Sequence, residues 1–350
     1  MNTNQINYLN IGLMILSCGI AFILPFELFL FSYAILGPLH YLTEISWLHK
    51  RQYFSPGKKD FMVLGLLAFL ISFANLFPYF YNLWGPKDDY GHTIFSEEIV
   101  TFIHNTQGNI PALVFIAFAG SALLILAKDL KKRIIGFILI IIVGYLFRSG
   151  KITFFAFAVF LPTLVHVFLF TGAFILVGAL KSKSTSGILS LVIFIACAFS
   201  LFIFFPDTIT PPGTYAMKNY DAGFYQYNQQ IFDALLHKTA TRDMIYNSTT
   251  GIMITRFIAF AYTYHYLNWF SKTSVIKWHQ VPRRSLLIII TIWLLSIIIY
   301  FMDYRMGIMA LYFLSYLHVI FEFPLNFRSF RDIGFEIRSK FKTQNAKLPA

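Results

Sequence analysis

Two short stretches carry residues that could do chemistry. In "GPLHYLTEISWLHK", residues 37–50, His40 and Glu44 stand four apart, and in "SYLHVIFEFPLN", residues 315–326, His318 and Glu322 repeat that spacing. Residues i and i+4 share one face of a helix, so each pair presents an imidazole and a carboxyl together. A carboxylate one turn from a histidine can ligate a metal directly, or accept the ring N–H that orients the imidazole.

Two further histidines lie in apolar surroundings. His166 sits in "LPTLVHVFLF", where Pro162 removes a helix donor and predicts a kink, with Thr163 one turn back on the same face. His265 sits in "YTYHYLNWF", crowded by Tyr262, Tyr264 and Tyr266, with Asn268 three and Trp269 four positions on. Counted from the next basic residue, the four histidines lie ~10 to 23 Å above one edge, at ~1.5 Å per residue, which is one broad layer. An ionisable group inside a membrane is costly and points to function. Imidazole suits iron, zinc, copper and nickel. Four histidines would saturate a tetrahedral zinc but leave open positions on iron. A lone intramembrane histidine is more often a hydrogen-bonded packing residue, and His with Glu also lines proton paths. Four at one depth, two with a carboxyl one turn on, favour a shared metal. The other five histidines fall in connecting segments: His49 and His279 among inner basic residues, His92, His104 and His237 in outer ones.

The elements that must position these groups are membrane helices. The 350 residues are 57% hydrophobic and only 13% charged, about half the charged share of a soluble chain. The apolar runs predict an all-α, polytopic helical bundle of about ten spans: 7–24, 27–48, 61–83, 109–127, 133–148, 152–180, 186–205, 251–270, 285–302 and 306–324. Pro25 separates the first pair. With both termini cytoplasmic, 20 of 28 Lys and Arg fall in inner segments, as the positive-inside rule requires. The net charge of +12 is therefore a matter of topology, not of nucleic-acid binding. The first span has no charged leader or cleavage signal and is expected to remain as an anchor. The expected organisation is one membrane domain over 1–325, with outer amphipathic segments at 84–108 and 206–250, and a basic interfacial tail over 326–350. Arg256 is expected to snorkel and Asp303 to pair with Arg305. Cys18 and Cys197 form neither a disulfide framework nor a metal motif.

No phosphate loop, CxxC or nucleophile elbow is present, and the clustered HxxHH patterns of membrane desaturases and alkane hydroxylases are absent. The scattered set His40 with Glu44, His166, His265 and His318 resembles the bacterial membrane β-carotene 15,15′-dioxygenases associated with rhodopsins. That family tends towards Pro-His-Gly with an aspartate at i+4, where this chain has Pro38-Leu39-His40-Tyr41 and Glu44. The resemblance implies a helical bundle holding iron through histidines and cleaving a carotenoid.

The expectation is a membrane-embedded non-haem metal oxygenase, with iron (alternatively zinc or copper) and dioxygen, acting on a lipophilic substrate such as a carotenoid or lipid. His40, His166, His265 and His318 would be ligands, with Glu44 and Glu322 as further ligands or orienting acceptors. Glu44, Glu322, Tyr264 and Tyr266 would serve the chemistry, and Tyr41, Asn268 and Trp269 would line the pocket. The alternative is a proton- or cation-coupled transporter using the same layer. A bacterial inner membrane is the expected location.

Overall fold

The computed structural model describes residues 2–148, 150–205, 211–272, 277 and 280–345. Among them the chain is helical, apart from connecting segments and one isolated bridge between Lys87 and Thr93. The helices are α1 (Thr3–Ile23), α2 (Pro25–Lys50), α3 (Asp60–Trp84), α4 (Glu97–Leu126), α5 (Leu130–Phe147), α6 (Phe154–Ser182) and α7 (Thr185–Ile203). There follow α8 (Thr214–Gly223), α9 (Tyr225–Leu236), α10 (Arg242–Asn247), α11 (Thr249–Ser271), α12 (Arg283–Met302) and α13 (Tyr304–Asn345). His279 lies outside the described residues.

Eight of these helices are long and apolar enough to cross a membrane: α1 to α4, α6, α7, α12 and the first part of α13. Helices also stand where the fifth and eighth spans were expected, as α5 and α11, but α5 carries three basic residues and α11 many polar ones. α5 opens with Lys131, Lys132 and Arg133. α11 is enclosed: residues such as Thr255, Thr263, Tyr264, His265 and Asn268 are all buried. A helix wrapped by other helices needs no lipid-facing surface, so it can carry polar groups all round. By contrast, α12 exposes Leu287, Ile288, Leu294, Leu295 and Ile298, the apolar belt expected of a helix against lipid.

Packing groups the chain into two compact units. The first comprises Met1–Thr43, Thr163–Ile308 and Asn326–Ala350. In it α11 packs against α1, α2 and α7, and α6 packs against α7 through its Thr171–Ser182 end. The second comprises Glu44–Pro162 and Met309–Leu325, with α4 packed between α3 and α5.

Proline shapes the two helices that carry His40 and His166. Pro38 cannot donate to residue 34, and its ring crowds that carbonyl. The preceding segment Ser32–Leu36 winds as a π-helical turn, which accommodates the ring without breaking α2. Ser32 Oγ and Thr263 Oγ1 lie 2.7 Å apart, tying this wide turn to α11. The kink expected at Pro162 takes the same form, because Phe154–Phe170 is wound as a π-helix around it.

One local expectation changes, and two segments gain detail. Arg256 does not snorkel: it is 7% exposed, and its guanidinium donates to Phe22 O at 2.9 Å and Phe204 O at 3.4 Å. It thereby serves the carbonyl ends of α1 and α7, where helix dipoles favour a cation. Asp303 is a helix cap, accepting from Met306 N at 2.7 Å. In the segment 211–250, apolar sides of the short helices turn onto protein: Phe26 of α2 meets Tyr220 of α8 and Tyr246 of α10 with ring centroids 5.0 and 5.1 Å apart. In the segment 84–108, residues 97–108 are helical and form the first part of α4. The tail prolongs α13 without a break to Asn345, and Lys181 pairs there with Asp332. Cys18 and Cys197 are free thiols, as expected.

Candidate metal centre

His40 from α2, His166 from α6, His265 from α11 and His318 from α13 form one buried group. Each offers a ring nitrogen, and the four atoms all lie within 4.8 Å of one another. None of the rings is more than 5% exposed. A group of this kind could hold a metal ion. The four side chains that the sequence placed at one depth are thus brought together.

One pair is defined in detail. His265 Nε2 stands 3.1 Å from His40 Nε2. Two imidazoles bound to one ion at ~2.0–2.1 Å would place their nitrogens about 2.9 Å apart at a right angle and about 3.4 Å apart at a tetrahedral one. The observed spacing falls between the two. Two arrangements satisfy such a pair: His40 donating an Nε2–H to His265, or both lone pairs turned on one cation. In either case His265 presents a lone pair. Thr171 Oγ1 donates to Val167 O at 2.8 Å, so its 2.8 Å contact with His265 Nδ1 must be accepted from the ring N–H. The tautomer with a bare Nε2 follows. The centroid of the His166 ring lies 4.8 Å from that of His265, at 64°.

Thr171 went unnoticed in the sequence because it is five residues after His166, not three or four. In a π-helical winding about 4.4 residues complete a turn, so five positions return to nearly the same side. We expect Thr171→Val to keep the fold and weaken metal affinity by ~10–100-fold, the usual cost of losing an outer hydrogen-bond partner. Competition with a chromophoric chelator measures it, and an unchanged affinity would remove Thr171 from the site.

Glu44 and Glu322 are each 2% exposed and near enough to interact electrostatically. The group of mutually close ligand atoms contains the four histidines and neither carboxylate. Asn326 extends the stripe His318, Glu322 by another four residues. It is 2% exposed, and neither of its amide atoms is hydrogen-bonded among the described residues. The repeated spacing made it legible, although it was passed over.

The aromatic neighbours divide. The Tyr266 ring lies 5.1 Å from His40 and 5.5 Å from His265, and its hydroxyl meets that of Tyr41 at 3.1 Å. Gly37 makes room for this pair, since a Cβ there would come within 2.8 Å of the Tyr41 hydroxyl and 3.3 Å of the Tyr266 hydroxyl. Trp269 lies 5.6 Å from His40 and donates its indole N–H to Thr43 Oγ1 at 3.0 Å. Tyr264 and Asn268 point elsewhere. The Tyr264 hydroxyl donates to Asn10 Oδ1 at 3.2 Å, and Asn268 lines a separate cavity with Lys272. At 100° per residue, positions 264 and 268 form one stripe of α11 and positions 265 and 269 another.

No family model, curated protein or solved structure matches this chain.

Proposed function

We propose that this chain is an integral-membrane, non-haem metal oxygenase that acts on a lipophilic substrate with dioxygen. The buried four-histidine group carries the reading. Iron is our reading among iron, zinc and copper: imidazole binds all three, but four histidines would saturate a tetrahedral zinc and leave open positions on iron. A bound ferrous ion would supply electrons for the reduction of dioxygen. Around it, Thr171 would hold His265 in the required tautomer, and Glu44 and Glu322 would serve as further ligands or as acceptors that orient the rings. Tyr266 and Tyr41 provide paired hydroxyls beside His40, suited to holding or passing a proton. Trp269 walls the site.

An apolar cavity of about 190 Å³ supports a lipophilic ligand. It is lined by Leu30, Phe31, Ala34 and Ile35 of α2 and by Ile297 and Tyr300 of α12. Ala34 and Ile35 precede His40 by less than two turns. The Tyr300 hydroxyl is buried and makes no hydrogen bond among the described residues, so it could receive a polar end of the substrate. A carotenoid or other polyunsaturated lipid fits these properties. The same reading takes α5 and α11 as spans, giving ten, with both termini cytoplasmic and the protein in a bacterial inner membrane. The buried Glu44–Glu322 pair favours one alternative, a proton- or cation-coupled transporter.

Elemental analysis of protein purified in mild detergent should find about one iron per chain, and reconstituted protein should consume oxygen when given carotenoid or polyunsaturated lipid. Metal-free protein that dissipates a proton gradient would replace the oxygenase with the transporter.

A further inference from the structure

A second cavity, of about 220 Å³, opens at the N-terminal end of α1 and shares no residue with the histidine group. Its polar lining includes Asn7 and Asn10 of α1, Ser190 of α7, Asn268 of α11 and Lys272 just beyond α11. No lining residue is acidic. The internal hydrogen bonds explain most of these groups. Asn10 Oδ1 accepts from Tyr264 and from Ser271, at 3.2 and 2.9 Å. The Asn7 amide donates to Ser184 and Ser186, at 3.2 and 2.9 Å, and Ser190 donates to Asn7 O at 3.2 Å.

Two groups remain. Asn268 is 6% exposed, and among the described residues its Oδ1 has no hydrogen-bond partner. Among the described residues no carboxylate pairs with Lys272, and burial holds its ammonium down to about 8. An ammonium in a recess without a counter-ion is destabilising unless a ligand compensates it. A lysine can complement the carbonyl end of its own helix, but that role accounts neither for the cavity beside it nor for the unused amide.

We propose that this cavity binds a phosphate group, with Lys272 as its counter-charge and Asn268 as the hydrogen-bonding partner of a phosphate or adjacent hydroxyl. The phosphate belongs either to the head group of an anionic membrane lipid or to a water-soluble phosphate. Basic pockets between membrane helices are suited to lipid head groups. The amide can present either face, since oxygen and nitrogen exchange on rotation.

The test uses the full chain in phosphatidylcholine nanodiscs, with melting followed by tryptophan fluorescence. A ligand that binds only the folded state raises Tm with concentration. Inorganic phosphate is titrated in one arm, and phosphatidylglycerol replaces a rising fraction of the lipid in the other. A concentration-dependent rise in either arm supports the site, and the responding arm names the source. Lys272→Gln should weaken the response at least tenfold, Lys272→Arg should retain it, and Lys181→Gln, at an exposed lysine paired with Asp332, should leave it unchanged. Should Lys272→Gln not fold, Asn268→Asp, which adds a negative charge to the recess, should abolish the response. No rise in either arm, or an equal rise in Lys272→Gln, overturns the proposal. Since the readout is independent of bound iron and oxygen uptake, its failure is separable from failure of the oxygenase reading.

Discussion

Removing the His265 imidazole should cost the protein its metal. His265 carries the bare Nε2 that faces His40 at 3.1 Å and is itself held by Thr171. Losing an outer partner such as Thr171 costs ~10–100-fold in affinity, so losing the ligand should exceed ~100-fold. We expect His265→Ala and His318→Ala each to be purified with less than a tenth of the wild-type metal and with unchanged helical circular dichroism. His265→Gln, which nearly preserves volume, separates ligand loss from cavity formation. Tyr264→Phe is the control on the same helix, because the hydroxyl it removes is bonded to Asn10; it should keep its metal. Wild-type metal content in both alanine variants would mean that the four rings only pack against one another.

The second large effect concerns stability and lies in the other unit. Asp60, in the first turn of α3, is 7% exposed. It accepts from Arg133 Nη1 at 2.9 Å, from Gly57 N at 3.0 Å and from Ser55 Oγ. Arg133 also donates to Ala127 O at 2.7 Å and Leu124 O at 3.0 Å, the carbonyl end of α4. Each charge thus sits at the helix terminus whose dipole favours it, and one ion pair clamps the start of α3 to the end of α4. Asp60→Ala would leave the guanidinium partly buried without its anion, for which ~3–5 kcal/mol of destabilisation is typical. Asp60→Asn keeps acceptors but loses the charge, and should fall between the alanine variant and wild type. Reversible denaturation in mixed micelles measures both. A loss below ~1 kcal/mol in Asp60→Ala would show the pair to be a solvated surface contact.

Much of this protein is written locally in its chain. Apolar runs of membrane length, Pro25 at the start of α2 and the cap at Asp303 depend on residues within a turn or two of each other. The same holds for the His–Glu stripes of α2 and α13, since 100° per residue fixes which side chains share a face whatever surrounds the helix. Common depth for four histidines is likewise a matter of counting along each helix. Other features required the tertiary structure, because they depend on how each helix is rotated about its own axis. That rotation turned Tyr266 and Trp269 towards His40 while sending Tyr264 and Asn268 to the Lys272 cavity. It set Thr171 against His265, aided by a π-helical winding that an α-helical period does not anticipate. It buried Arg256 on two helix ends and joined Asp60 to Arg133 across 73 positions. Such contacts are chosen by side chains packing between helices far apart in sequence, and no periodicity within one helix encodes its partner's orientation.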